Sequence, residues 1–146
     1  MFLDFLLSQN TITEFQYNKV LAEIDTLFEG NLNRALLGVG LSEDSLTKAK
    51  AVFYKLPYQK VLSRQVSYDI LKYIPEDAAA NYRFVPIGMD KGILEIGMLD
   101  PGDVATQGAL QFISSKIKIP VNQYIISYAD FKKITEGYHG VTALPD

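Results

Sequence analysis

Up to Tyr54 the apolar residues recur every three or four positions, whereas beyond Phe84 they come in short runs punctuated by Gly and Pro. The first pattern puts apolar groups on one face of a helix, and the second is that of strands. A chain that changes period in this way is expected to be α+β, with a small helical subdomain over residues 1–60 and a three-stranded α/β subdomain over residues 61–146. The segment around Gln59–Gln65 is the expected joint.

The helical half has explicit start and stop signals. Phe2–Leu7 is a short apolar run ended by Ser8-Gln9-Asn10. Thr13 can cap a helix that turns Tyr17, Val20, Leu21, Ile24, Leu27 and Phe28 to one side, and Glu29-Gly30-Asn31 stops it. A second short helix, Leu32–Leu37, ends at Gly38-Val39-Gly40. Ser42 then opens a helix with Glu43 and Asp44 in its first turn, where the helix dipole favours negative charge. That helix is expected to turn Leu46, Ala49, Val52 and Phe53 inward and to break at Leu56-Pro57-Tyr58.

In the second half, Tyr68–Tyr73 reads as a helical turn or two. Pro75 reads as the first position of a helix running to Tyr82. Phe84–Gly88 and Ile93–Met98 read as strands joined by the hairpin turn Asp90-Lys91-Gly92. Pro86, which has no N–H to give to a ladder, should keep its strand at an edge or lie near a strand end. Asp100 and Pro101 are expected to cap and start a helix reaching Ile113. A third strand is expected over Ile117–Ile126, and Ser127 should cap a last helix carrying Phe131, Ile134 and Tyr138. The tail beyond Gly140 has no periodicity and is expected to fray.

Composition narrows the function. The net charge of −3 offers no basic stripe to neutralise nucleic-acid phosphates. The absence of cysteine removes thiol catalysis and zinc–thiolate sites. No run approaches the ~20 apolar residues that span a bilayer, so the chain reads as soluble, without direct membrane insertion. No catalytic constellation is visible. His139 has no companion ligands, Ser42, Ser45 and Ser67 have no base at a recognisable distance, and Asp100-Pro101-Gly102-Asp103 reads as a helix start rather than a cation site. No metal site is expected.

The helical half repeats itself. Phe2, Leu6, Leu7, Asn10, Ile12, Tyr17, Val20 and Leu21 are echoed by Leu32, Leu36, Leu37, Gly40, Leu41, Leu46 and Ala49, with one residue deleted before Leu41. Each unit is a short helix, a tight turn, an apolar anchor and a longer helix, and two units can bury faces that neither could bury alone. This repeat resembles the tandem helical motif at the amino terminus of type II secretion and type IV pilus assembly ATPases. The second half resembles the same family through Tyr73-Ile74-Pro75-Glu76-Asp77-Ala78-Ala79-Ala80, Phe84-Val85-Pro86-Ile87, and Gly92 through Asp100-Pro101.

The resemblance implies a domain that is not itself the motor. The glycine-rich phosphate loop that a motor needs, ending Gly-Lys-Ser/Thr, is missing from this sequence. What is implied instead is docking to an inner-membrane platform protein from the cytoplasmic side, beside a motor domain in cis or in trans. In some pilus members the tandem motif binds cyclic di-GMP, which would place a ligand around Leu6, Leu7, Asn10, Leu36, Leu37 and Gly40. That motif is preceded by Arg, carries Gly at its second and ninth positions and ends in Gln. Here Met1, Leu3, Asn10 and Ile24 stand in the first copy, and Asn31, Asn33, Gly40 and Phe53 in the second. The charge-assisted contacts are therefore missing, and no cofactor is expected. Lys116, Lys118, Lys132 and Lys133, with Tyr124 nearby, are the candidate contacts to an acidic partner.

Overall fold

The computed structural model describes residues 2–61 and 66–143, the last five of these by backbone alone. Residues Met1–Lys55 and Leu56–Asp146 form separate compact units. The expected joint falls partly on residues 62–65, and the end of the tail on residues 144–146, all outside the described residues.

The first unit holds four helices: α1 (Phe2–Ser8), α2 (Glu14–Leu27), α3 (Leu32–Gly38) and α4 (Glu43–Tyr54). Thr13 and Ser42 cap α2 and α4 as the sequence predicts, and Asn31, which reads in the sequence as part of a stop, caps α3. Thr13, Asn31 and Ser42 are extended, and each side chain accepts an N–H of the following first turn. Phe2, Leu6, Ile12, Val20, Ala35, Leu36, Leu41, Leu46 and Ala49 form the core. The buried stripe is narrower than the sequence suggests, because Leu21, Leu27 and Val52, expected inward, are exposed. In α4 the inward places next to Leu46 and Ala49 go to Thr47 and Lys50. The Thr47 hydroxyl donates to the Glu43 carbonyl at 2.8 Å, which satisfies it inside its own helix.

The second unit contains α5 (Tyr68–Leu71), α6 (Glu76–Tyr82), β1 (Phe84–Asp90), β2 (Ile93–Met98), α7 (Val104–Ile117), β3 (Val121–Ile125) and α8 (Tyr128–Ala143). The strands lie in the order β1-β2-β3. β1 and β2 are an antiparallel hairpin, and β3 runs parallel to β2 after the α7 crossover. Lys91 and Gly92 both have positive φ (52° and 79°), as a two-residue turn of mirror-image type requires. Pro86 is on the edge strand, and the register slips between Pro86 and Gly88. Gly88 leaves room for Glu95, since a Cβ there would stand 2.7 Å from Glu95 Oε1. At the far edge, residues 57–59 clasp the end of β3. Ile125 N–H donates to the Pro57 carbonyl at 2.8 Å, and Gln59 N–H donates to the Ile125 carbonyl at 2.9 Å.

Several element boundaries differ from expectation. Pro75 is the N-cap of α6 rather than its first helical residue. Asp100 and Pro101 do not begin α7. Asp103 N–H closes a turn on the Asp100 carbonyl at 3.3 Å, and Asp103 takes the N-cap position. α7 runs past Ile113 to Ile117 and ends at Lys118 in the left-handed conformation (φ 59°). The third strand is correspondingly short, starting after Pro120. α8 continues through Gly140 to Ala143 rather than fraying there.

Phe84, Leu94, Ile96, Met98, Leu110 and Ile126 are among the core of this unit. Two buried polar contacts fasten the chain to α8. Asp130 Oδ2 accepts the Val61 N–H at 3.0 Å, and the Tyr138 hydroxyl donates to the Ile74 carbonyl at 2.8 Å. Burial, followed by the Glu76 charge, pushes the Tyr138 phenol well above its ordinary range. Among the described residues, no helix is long and apolar enough to cross a membrane.

Candidate functional site

The six residues expected around a ligand all lie at two turns of the same backbone form, which end α1 and α3. In the first, Asn10 N–H donates to the Leu7 carbonyl and Thr11 N–H to the Leu6 carbonyl. In the second, Gly40 N–H donates to the Leu37 carbonyl and Leu41 N–H to the Leu36 carbonyl. Each is a Schellman cap, with a left-handed residue satisfying the last carbonyls of a short helix. Asn10 (φ 58°) and Gly40 (φ 100°) hold that left-handed position. Leu6 and Leu36 are fully buried beneath the turns, while Leu7 and Leu37 are half-buried. After each turn comes a buried apolar anchor (Ile12, Leu41), then a capping hydroxyl (Thr13, Ser42).

Gln16, which sequence reasoning passed over, links the two copies. Its Oε1 accepts the Thr13 N–H at 2.8 Å, completing a capping box, and its Nε2 donates to the Val39 carbonyl at 3.0 Å. The Thr-x-x-Gln spacing of residues 13–16 is the signal that could have found it. The Tyr17 hydroxyl donates to Asp4 at 2.6 Å, a bond that raises its pKa.

The side chains beside the turns are unsuited to gripping phosphates. Where the family motif ends in Gln, Ile24 and Phe53 pack against the helical core. The Phe53 ring lies 5.3 Å from that of Phe2 and 5.1 Å from that of Phe5, in an aromatic cluster. Leu3, in place of the first Gly, packs against the same core. Cyclic di-GMP carries two phosphates, and no cation stands at these positions to meet them.

The candidate partner contacts are in the second unit. Lys116 and Lys118 are exposed at the end of α7, where it leads into β3, and Lys132 and Lys133 are exposed on α8, which leads out of it. Tyr124 lies between these elements on β3 and is half-buried; its hydroxyl donates to Glu95 Oε2 at 3.2 Å. Burial and the Glu95 carboxylate raise its pKa. Tyr124 is thus engaged within the sheet. Among the described residues, no group of three or more His, Cys, Asp or Glu side chains could hold a metal ion.

Comparison with known proteins gives the frame for these features. The structure of MshE with cdg (cyclic di-GMP) matches at a TM-score of 0.75 and 24% identity, covering 96% of this chain and 97% of that one. The N-terminal domain of XpsE matches in one crystal form at a TM-score of 0.68 and 18% identity, covering 93% and 92%. A second crystal form of that domain matches at 0.56 and 20% identity, covering 90% and 89%. These likenesses establish the fold. No curated protein matches. The MshEN domain model matches residues 54–141, more than half of the chain. The chain therefore belongs to the MshEN domain family, the amino-terminal domains of secretion and pilus ATPases.

Proposed function

We propose that this chain is a non-catalytic docking domain that holds a secretion or pilus ATPase to the cytoplasmic face of its inner-membrane platform protein. The observation that carries the reading is membership of the MshEN family in a sequence with no phosphate loop. In this reading the second unit makes the contact, and Lys116, Lys118, Lys132, Lys133 and Tyr124 face the partner. The test is a binding measurement with the cytoplasmic domain of an inner-membrane platform protein of a secretion or pilus machine. Saturable binding in the micromolar range is expected, weakened by reversing Lys132 and Lys133 to Glu. No binding at high micromolar concentration overturns the reading.

A second reading, sensing of cyclic di-GMP through residues 2–53, draws support from the match to MshE with that ligand and from the paired turns around Asn10 and Gly40. Against it stand Leu3, Ile24 and Phe53, packed against the core where the family motif carries Gly and Gln. Docking is therefore favoured, with the helical repeat kept as a packing module. Isothermal calorimetry with cyclic di-GMP should give a flat titration, and a saturable heat would reinstate the sensor.

A further inference from the structure

Helix α7 faces outward with an unusual surface. From Val104 to Ser115 it carries no charged residue. The outward faces of the other long helices carry charges instead: Lys19 and Asp25 on α2, Asp44 and Lys48 on α4, Lys132, Lys133 and Glu136 on α8. Thr106, Leu110 and Ile113 face the core from α7. Val104, Ala105, Gly108, Gln111, Phe112 and Ser115 face out, with Val104 85% and Phe112 69% exposed. A helix that is uncharged on both sides normally has something packed on both. Gly108 sits in the middle of the outer face, and a Cβ built there meets nothing within 4 Å. A glycine costs helix stability relative to alanine, and here it leaves a shallow notch where another backbone can come close.

The outer face is arranged symmetrically about that notch. Val104 and Phe112 lie four residues to either side of Gly108, and Ala105 and Gln111 three. The charges at the two ends have opposite sign. Asp100 and Asp103 stand before the helix, and Lys116 and Lys118 close it, about 20 Å away at 1.5 Å per residue. Arg83 lies at the acidic end, 3.8 Å from Asp100. Two such helices packed antiparallel and crossing at Gly108 would set Val104 of one against Phe112 of the other, twice. They would also bring the acidic end of each beside the lysines of the other and oppose the two helix dipoles. A contact in which residue i meets j and j meets i is what a two-fold axis demands.

We propose that α7 is a self-association surface, its occupant a second copy of this chain, with Gly108 on the dyad. The inference does not rest on the docking function, although Lys116 and Lys118 would serve both contacts and the two would then compete. A single helix face lies at the small end of specific interfaces, below about 1,200 Å² in total, so the dimer is expected to be weak and salt-sensitive.

The absence of cysteine makes a direct test available. Gly108→Cys should cross-link to itself under mild oxidation of the whole folded chain. Val104→Cys alone should not, whereas an equimolar mixture of Val104→Cys and Phe112→Cys should give the mixed dimer. Sedimentation of the unmodified chain up to about 500 µM should show a rise in weight-average mass that Gly108→Arg abolishes. Gly108→Arg should leave the circular dichroism unchanged, because the site is open. Phe112→Ser supplies a second surface variant should Gly108→Arg fold poorly. A mass that stays monomeric throughout overturns the proposal. So does association that survives both variants, or equal cross-linking from all three cysteine positions.

Discussion

Replacing Gly97 with alanine tests the central packing of the sheet. Gly97 lies on β2, the middle strand, between Val85 and Tyr124. A Cβ added there would stand 2.7 Å from Ile126 Cγ2, 2.8 Å from its Cδ1 and 3.1 Å from its Cγ1. Carbon atoms pack at about 3.5–4.0 Å, so the new methyl overlaps three atoms of one side chain at once. Ile126 has little room to yield. It is 1% exposed, its N–H donates to the Met98 carbonyl at 3.2 Å, and its branched Cβ makes χ1 stiff. Overpacking of this kind costs about 1–3 kcal/mol. Ile126→Ala by itself should cost about 2–5 kcal/mol through lost burial and a cavity. In the double variant the alanine methyl enters the space that the isoleucine leaves. The double loss should then fall short of the summed single losses by about 1–3 kcal/mol. Urea denaturation followed by far-ultraviolet circular dichroism reads all four corners of the cycle. Additive losses, or a Gly97→Ala variant within about 0.5 kcal/mol of the parent, would refute the reasoning.

Tyr138 gives a pH test. Its phenol is raised above the ordinary value of 10.0, so the stability it contributes is complete below pH 10 and is lost as pH climbs beyond that value. Tyr138→Phe should cost about 1–2 kcal/mol at neutral pH by orphaning the Ile74 carbonyl, and the parent's advantage should shrink in melts taken above pH 10. The twin turns give a matched pair. Gly40→Ala forces a Cβ into a left-handed backbone and should cost about 1 kcal/mol or more, whereas Asn10→Gly, at φ 58°, should be neutral or slightly stabilising in the same thermal melts.

The parts of the fold that were legible in the sequence are those set by local chemistry. Thr13 and Ser42 cap their helices because their hydroxyls accept first-turn N–H groups, and the Lys91-Gly92 turn is marked by Gly92, which takes positive φ freely. Pairings across distance were not legible. Nothing local says that β3 lies parallel to β2, since that depends on where the α7 crossover returns the chain. The sequence points to Asp100 as the cap of α7, whereas Asp103 takes that place because residues 100–103 close a turn of their own first. Helical spacing marked Leu21, Leu27 and Val52 as inward because it counts a full apolar stripe, while each of these helices buries a narrower one. For the site, the repeat brought Leu6, Leu7, Asn10, Leu36, Leu37 and Gly40 to two like turns, as its spacing implied. That Gln16 joins the copies depends on how α2 lies against the second turn, which only the folded chain supplies.

The sheet also imposes an order on folding. The β1–β2 hairpin closes locally, with Asp90 paired to Ile93 across a two-residue turn. The β2–β3 pairing joins Leu94 to Val121 and needs all of α7 in between. Closing the longer loop costs more chain entropy and is repaid only when α7 has docked on the sheet through Leu110 and Ile113. On loop-closure grounds the hairpin is expected to form before β3 pairs, and the clasp of residues 57–59 on Ile125 to form last, because its partner strand must already be in place.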